Sequence, residues 1–557
     1  METIRDMLEQ AAQRKGTGVA LRHKVRGKWH AVTYAELRRR SGAVSRLLTD
    51  FGVQAGQRVG LFMENSPEWI ESYFGIVACG VVAVPIDAKL LEQEVAHILR
   101  DSGAVALLAG ARAYPLLRDI EALLPDLRQV WLVGGAELLP AEQSRCAYGD
   151  YQAAVTERLA PAANDPPPGA PAPDDLASLI YTSGTTGRQK GIMLTHANFM
   201  ANVQSCRQVV AVRTDDNFLV VLPLHHAFAF IACLLLPVAS GAEMSLVESL
   251  KTVGENMSEV QPTVLVGVPL LLEKMYGKIR AGINQKTSAR WLCRLGLGRV
   301  VGRKILAKLG GRLRLVVTGG APCDPAVLQG WERLGIPVRE GYGLTETAPV
   351  LTLNPIECNR LGSVGRALPG VELRIDEPNA EGIGEICARG ANVMRGYYNN
   401  PEATAAVLRD GWLYTGDLGR LDRDGFLTIS GRKKSLIVNR EGKNIYPEEV
   451  EHQILQSPYV LETLVLGYHE HGETTGERVG AILVPNQDAV DRVAAARGQP
   501  LSDAEVEALL QEDVRRVCRA LAEYKRPRRL QIRYEELEKT STTKVKRYLY
   551  ALNTPAA

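Results

Sequence analysis

Five short stretches of this chain bring together residue types suited to holding a phosphorylated ligand. The most compact runs Tyr181-Thr-Ser-Gly-Thr-Thr-Gly-Arg-Gln-Lys-Gly-Ile-Met-Leu-Thr-His196, after an apolar run from Leu176 to Ile180 that reads as a buried strand. Gly184 and Gly187 let the backbone turn sharply and approach a ligand, and successive N–H groups in such a turn form an anion-binding concavity. The hydroxyls of Thr182, Ser183, Thr185 and Thr186 add donors, and Arg188 and Lys190 add charge. The loop differs from the Walker loop, because neither Gly184 nor Gly187 is followed at the required spacing by Gly-Lys-Ser/Thr. A surface turn rich in Ser, Thr and Gly has the same composition, so this loop taken alone fits both readings.

The other four stretches lie downstream. Glu340-Gly-Tyr-Gly-Leu-Thr-Glu-Thr347 sets an aromatic between two glycines, then a hydroxyl and a carboxylate. Tyr342 is suited to stacking on a base, Thr345 to holding a phosphate and Glu346 to holding a hard cation. Tyr414-Thr-Gly-Asp417 places a carboxylate after a glycine, apt for clasping two ribose hydroxyls. Gly431-Arg-Lys-Lys434 clusters cations, and Lys539-Thr-Ser-Thr-Thr-Lys-Val-Lys-Arg547 is a lysine-rich loop. Each has a plainer counterpart: a core aromatic for Tyr342, a turn cap for Asp417, a surface ion pair for Arg432, a solvated lysine for Lys544. Their joint occurrence, in this order after the phosphate loop, is hard to obtain by chance.

Such groups need a scaffold, and 557 residues exceed what one core can hold, so two or more domains are expected. Up to about Ala170, strand-like runs (Arg58 to Met63, Val81 to Pro85, Ala104 to Ala109) alternate with helical patterns (Tyr34 to Phe51, Glu92 to Asp101). That rhythm predicts wound α/β layers with largely parallel sheet. The Pro- and Ala-rich run Pro161 to Asp175 reads as an exposed connector inside the same domain. From Pro369 short strands at Val371–Ile375, Gly384–Ala388 and Phe426–Ile429 predict a small β subdomain. After Lys434, helices near Tyr446–Gln456 and Asp503–Ala522 and strands near Glu462–Leu466, Val479–Val484 and Leu530–Tyr534 make a compact α+β domain. The fold class expected is therefore α/β, with a large N-terminal domain over 1–433 and a smaller domain over 434–557.

Bulk properties narrow the function classes. Hydrophobic residues at 46%, charged residues at 23% and a net charge of +3 offer no general field for nucleic acid or membrane. The nine cysteines are scattered and never spaced as CxxC, which points to a reducing compartment and free core thiols. The N-terminus reads as the start of a polar amphipathic helix and the C-terminus carries no peroxisomal or lipidation signal, so a cytoplasmic location is expected. The most apolar window, Leu219 to Ala239, is too interrupted by His225, His226 and two prolines for a membrane span. Between Lys274 and Asp324 no acidic residue occurs, while Lys and Arg recur among Trp291, Leu292, Leu295, Val300, Val301, Ile305 and Leu309. This reads as a solvated face over a core stripe. Reversible docking to anionic lipid, a peripheral membrane contact, is the sharper alternative.

The whole set resembles the adenylate-forming superfamily of acyl-CoA synthetases, peptide-synthetase adenylation domains and firefly-type luciferases, over nearly the whole chain. Position by position, the resemblance implies that Thr182, Ser183, Gly184, Thr185, Thr186, Gly187 and Lys190 face the phosphates of ATP. It implies that Gly319, Gly320, Ala321 and Pro322, with Tyr342 and Gly343, cradle adenine. Thr345 then contacts the α-phosphate, Glu346 holds Mg²⁺, and Asp417 and Arg432 bind ribose. His226, in Pro223-Leu-His-His-Ala-Phe228, matches the family histidine beside the acyl carboxylate. Lys434 corresponds to the hinge of a mobile C-terminal domain, and Lys544 to the lysine that serves adenylation. Rotation about the hinge withdraws that lysine and brings the Asn439–Pro447 face to the thiol site.

Within the superfamily the chain looks most like bacterial long-chain fatty-acyl-CoA synthetases. The similarity lies in the apolar stretch Phe228–Leu236, the basic insertion before Gly319, and Arg440-Glu-Gly-Lys-Asn-Ile-Tyr-Pro-Glu-Glu449. It implies fatty acid, ATP and coenzyme A as partners. The family usually has glycine just before the catalytic lysine, whereas Thr543 stands here and its β-branch restricts the backbone. Lys544 is preferred to Lys546 because it keeps the spacing from Lys539-Thr540. An acyl-AMP ligase that loads a carrier protein, and a non-catalytic acyl-nucleotide sensor, remain as alternatives.

Overall fold

The computed structural model describes residues 1–139, 144–159, 169–183, 189–470, 476–539 and 545–552. Among them are two large sheets. One has the strand order Arg366–Ala367, Val350–Leu353, Val338–Gly343, Leu315–Thr318, Val264–Gly267, Asn217–Val220, Glu243–Leu246, Val19–Val25, Lys28–Thr33. Its central pairings are parallel and its outer ones antiparallel. The second runs Gly396–Tyr397, Gln189–Thr195, Leu176–Ser183, Val82–Pro85, Arg58–Phe62, Ala104–Gly110, Gln129–Val133, Ala147–Asp150. Strands buried on both faces read as continuous apolar runs, and Arg58–Phe62 and Ala104–Gly110 do so.

The helix Pro67–Ala78 shows how the two sheets are joined. Ser66 accepts a hydrogen bond from the Trp69 amide, and Pro67 supplies the fixed φ of a first helical residue. Every residue from Trp69 to Ala78 is buried. Trp69 stacks on Tyr73 at 5.7 Å between ring centres, Tyr73 meets Phe230 at 4.5 Å, and Phe230 meets Phe199 at 5.2 Å. Each such aromatic contributes roughly 1.5–3 kcal/mol by burial. The cluster also pins the short helix Ala227–Phe230, whose first turn begins at His226.

A third, antiparallel sheet holds Val371–Asp376, Gly384–Gly390, Trp412–Leu421, Leu408–Arg409 and Leu427–Arg432, the β subdomain expected from the sequence. The chain then passes through the exposed turn Lys433–Ser435. Beyond it, the helices Pro447–Ile454 and Asp503–Val517 pack on the sheet Val460–Tyr468, Arg478–Pro485, Arg529–Ile532 around a core of their own. A further helix, Gln487–Arg497, was not expected: only Ala489 and Val490 are buried on it, too few to print an apolar period.

Of the nine cysteines, seven are buried and all are free, while Cys358 is exposed rather than a core thiol. No helix among the described residues is long and apolar enough to cross a membrane. The expectation of a core stripe beneath the basic segment fails for its middle. The helix Thr287–Arg294 buries no residue, and Trp291, Leu295 and Val300 are exposed. Only Val301 of that apolar set is fully buried, on the neighbouring helix Gly298–Lys308.

Candidate active site

The three motifs nearest the sheet edges converge. Tyr342, near the end of Val338–Gly343, donates its hydroxyl to Asp417 Oδ2 at 2.7 Å. Arg432 Nε lies 2.7 Å from Asp417 Oδ1, and the two residues face each other across adjacent strands. Asp417 is nearly buried, and its place is fixed by neighbours: its amide donates to Thr415 Oγ1, and the Gly416 amide donates to Glu385 Oε1. Burial, then the Asp417 carboxylate, holds the Tyr342 hydroxyl well above its ordinary pKa, so it stays a neutral donor. A carboxylate gripped from both sides is a preorganised acceptor.

Thr345 and Glu346 sit on the short turn Thr345–Thr347, which Asn392 secures by donating to the Thr347 carbonyl at 2.8 Å. The Tyr397 hydroxyl donates to Glu346 Oε1 at 2.9 Å, and Lys190 Nζ lies 5.1 Å from the centre of the Tyr397 ring. Thr182 pairs with Lys190, and Ser183 with Gln189, where the two strands flanking the phosphate loop meet. The loop residues Gly184, Thr185, Thr186, Gly187 and Arg188 lie outside the described residues, as do Thr543 and Lys544.

Tyr342 has a second role. Its ring, with Gly319, Gly320, Gly341 and Gly343, closes one end of an apolar cavity of about 680 Å³, mouth included. The remaining walls come from Cys206 and Val210, Phe218, Phe228 with Ile231, Ala232 and Leu236, Val264 with Val266, and Val317. Glycine is required at this end: a Cβ on Gly343 would lie 1.9 Å from the Pro349 carbonyl oxygen, and Gly320 has φ +83°. Ala321 and Pro322 are exposed on the loop that continues from Gly320. Beneath that loop the Cys323 amide donates to Glu340 Oε1 at 3.0 Å, and burial pushes the Glu340 carboxyl up to about 7.

His226 is brought close to two groups that sequence reasoning left out. His225 Nε2 lies 3.1 Å from His226 Nε2 and 3.4 Å from Asp87 Oδ2. Asn65 fixes the segment before them, donating to the Leu222 carbonyl and accepting from the Leu224 amide, both at 2.8 Å. His225 stood beside the chosen histidine and carried a signal. Asp87, Asn65 and Tyr397 carried none: the first two are lone polar residues in connections, and Tyr397 ends a strand of two residues. Lys434 lies in the exposed turn after Arg432.

The AMP-binding enzyme family matches residues 8–398, and its C-terminal domain matches residues 449–544. Among curated proteins, the long-chain-fatty-acid–CoA ligase FadD15 of Mycobacterium bovis is 34% identical over 471 residues, covering 79% of this chain and 76% of its own. The human long-chain-fatty-acid–CoA ligase 1 is 32% identical over 506 residues, covering 84% and 71%. Among solved structures, ATP-bound MatB from Rhodopseudomonas palustris superposes with a TM-score of 0.76 at 26% identity, over 98% of both chains. Matched in sequence through both of its parts and in fold over nearly its whole length, the chain belongs to the AMP-binding enzyme family.

Proposed function

We propose that this chain is an ATP-dependent long-chain fatty-acid–CoA ligase working in two half-reactions. In the first, a carboxylate oxygen of the fatty acid attacks the α-phosphorus of ATP, and the bond to pyrophosphate breaks. In the second, the thiol of coenzyme A loses its proton and attacks the acyl carbonyl, and AMP leaves with the bonding pair. The observation that carries this reading is an apolar cavity with Tyr342 in its lining, whose hydroxyl holds the Asp417–Arg432 pair. An alkyl chain and a nucleotide sugar then meet at one residue. The names of the relatives, long-chain-fatty-acid–CoA ligases at 31–34% identity, support the same substrate class.

The residues divide the work as follows. Asp417 and Arg432 grip the ribose, and Gly319, Gly320, Ala321, Pro322, Tyr342 and Gly343 frame the adenine. Thr182 to Lys190 hold the pyrophosphate that leaves, and Thr345 the phosphate that stays. His226, steadied by His225 and Asp87, orients the acid carboxylate. Glu346 offers a hard carboxylate oxygen beside Tyr397, the ligand type that Mg²⁺ takes. A Mg²⁺ ion held by Glu346 would supply positive charge against the phosphate oxygens. The ammonium of Lys544 acts on the same oxygens during adenylation, and a turn of residues 434–557 about Lys434 exchanges it for the thiol-site face. The free cysteines suit a reducing, cytoplasmic setting.

Lys544→Ala tests the assignment directly. Acid-dependent release of pyrophosphate should fall by about 10²–10³-fold, while coenzyme A transfer from supplied acyl-adenylate stays largely intact. Equal loss of both half-reactions would remove Lys544 from its role. A panel of acids graded by length and including aromatics, run with coenzyme A and with a carrier protein as acceptor, tests the substrate class. Failure of every acid to support AMP formation would leave a nucleotide-binding sensor.

A further inference from the structure

Two residues before Phe228, which lines the cavity, a pair of adjacent histidines faces a carboxylate from the other large sheet. Asp87 stands just past the strand Val82–Pro85, while His225 and His226 lie between the strand Asn217–Val220 and the helix Ala227–Phe230. The backbone fixes all three. The Lys89 amide donates to Asp87 Oδ1 at 3.0 Å, which turns Oδ2 toward His225. The His226 amide donates to the Pro223 carbonyl at 3.2 Å, and its carbonyl accepts from the Phe230 amide at 2.9 Å. The two imidazole rings are tilted by 55° with centres 4.0 Å apart, so their Nε2 atoms converge. Asp87 and His225 are nearly buried and His226 is half-buried.

The separations are those of a coordination shell. Ligand atoms about 2.0–2.1 Å from a tetrahedral ion stand about 3.3–3.4 Å from one another. His225 Nε2 lies 3.1 Å from His226 Nε2 and 3.4 Å from Asp87 Oδ2, and the three atoms all fall within 4.8 Å of one another. Among the described residues no other three His, Cys, Asp or Glu side chains meet this closely. An imidazole nitrogen carries at most one proton, so His225 Nε2 can donate to only one of the two neighbours it faces. A cation among the three atoms satisfies all of them together. Two imidazoles and one carboxylate make a borderline donor set, which suits zinc, whereas magnesium favours oxygen ligands. Three protein ligands leave the fourth tetrahedral position to water.

We propose that Asp87, His225 and His226 form a binding site for a zinc-like divalent cation, separate from the hard carboxylate at Glu346. The ion binds through Nε2 of both histidines and Oδ2 of Asp87, and both ligating nitrogens give up any proton they carry. The proposal goes beyond the ligase reading and stands without it, because binding is read without turnover.

The experiment titrates the full chain, stripped of metal and kept reduced, with zinc against a chromophoric chelator. One equivalent should bind, and excess magnesium should not displace it. Cobalt in place of zinc should give the visible bands of a tetrahedral ion without a thiolate charge-transfer band. That spectrum is read on the wild type, so it decides even where a variant folds poorly. His225→Gln and Asp87→Asn should each weaken zinc binding by about tenfold or more. Zinc should raise the melting temperature of the wild type and leave that of His225→Gln unchanged. Cys293→Ser/Cys358→Ser removes the two thiols that are not buried and should bind zinc as the wild type does. No binding by the wild type, a thiolate band, undiminished binding by His225→Gln, or loss of binding in the cysteine variant would each overturn the proposal.

Discussion

The cavity and the charged cluster beside it are built on different principles. The cavity's apolar walls are assembled from many side chains on separate strands and helices, almost all fully buried, none of them indispensable by chemistry. Beyond its Tyr342 end, outside the lining, lies a charged cluster of three side chains, Tyr342, Asp417 and Arg432, joined by two short polar contacts, with Arg432 still partly in water. Packed interiors respond to volume, whereas a small polar cluster responds to the loss of a single atom. On the proposed function, selection among acids belongs to shape, and the grip on nucleotide to a few directional bonds. Tyr342 is shared: its ring belongs to the cavity and its hydroxyl to the cluster.

The largest effect should come from volume. Ala232→Phe fills the cavity from the helical wall, and displacing three or four methylenes at about 0.8 kcal/mol each should lower kcat/KM for long acids by about a hundredfold. Short acids should be spared, and steady-state kinetics across a chain-length series reads the split. A uniform loss over all lengths would erase the distinction between cavity and cluster. Next comes Asp417→Asn, which keeps the shape and removes the charge paired with Arg432. KM for ATP should rise about tenfold or more while KM for the acid changes little. A matched rise in both would place Asp417 at the shared residue rather than on the nucleotide side.

The last effect is on stability rather than turnover, and concerns support from below. Glu340 is buried with its carboxyl raised from the usual range to about 7, so between about pH 4.5 and 7 the folded chain binds more protons than the unfolded one. Stability from this group is greatest in acid and declines as pH rises through that window. Glu340→Gln keeps the acceptor for the Cys323 amide and removes the titration. Its gain in melting temperature over the wild type should be small near about pH 5 and larger near about pH 8, worth up to about 3 kcal/mol. An equal difference at both pH values would mean that Glu340 is not titrating in the fold.

Elements with strong periodicity were legible before any coordinates. The helix predicted from Tyr34 to Phe51 is found at Tyr34–Asp50, where one buried face dictates the pattern, and the strand from Ala104 to Ala109 at Ala104–Gly110, where burial on both faces makes a continuous apolar run. The meeting of Tyr342, Asp417 and Arg432 was legible too, since they lie within short runs whose residue types carry their own chemistry. The cavity was legible only in part. Phe228 to Leu236 announced an apolar wall, but Cys206, Phe218 and Val317 come from distant segments and are ordinary core residues by type. The exposed Trp291 was read as core because apolar spacing gives a helix a face and says nothing of what the face meets. Trp69, fully buried, and Trp291, mostly in water, have the same chemistry and differ in the surroundings that the fold provides.

Arg432 closes on Asp417 only two residues before Lys434, and between them Lys433 is tied to Glu385 at 2.7 Å. The strand is thus anchored up to the residue at which the proposed rotation begins. A sugar lodged against Asp417 and Arg432 would act as a key in an interlock, setting the direction in which the chain leaves toward its last portion. Reciprocity makes the lock work in both directions: whatever bias the nucleotide imposes on that direction, turning the last portion imposes on nucleotide affinity. Letting go of spent AMP and resetting the enzyme for another ATP then become one movement of one strand.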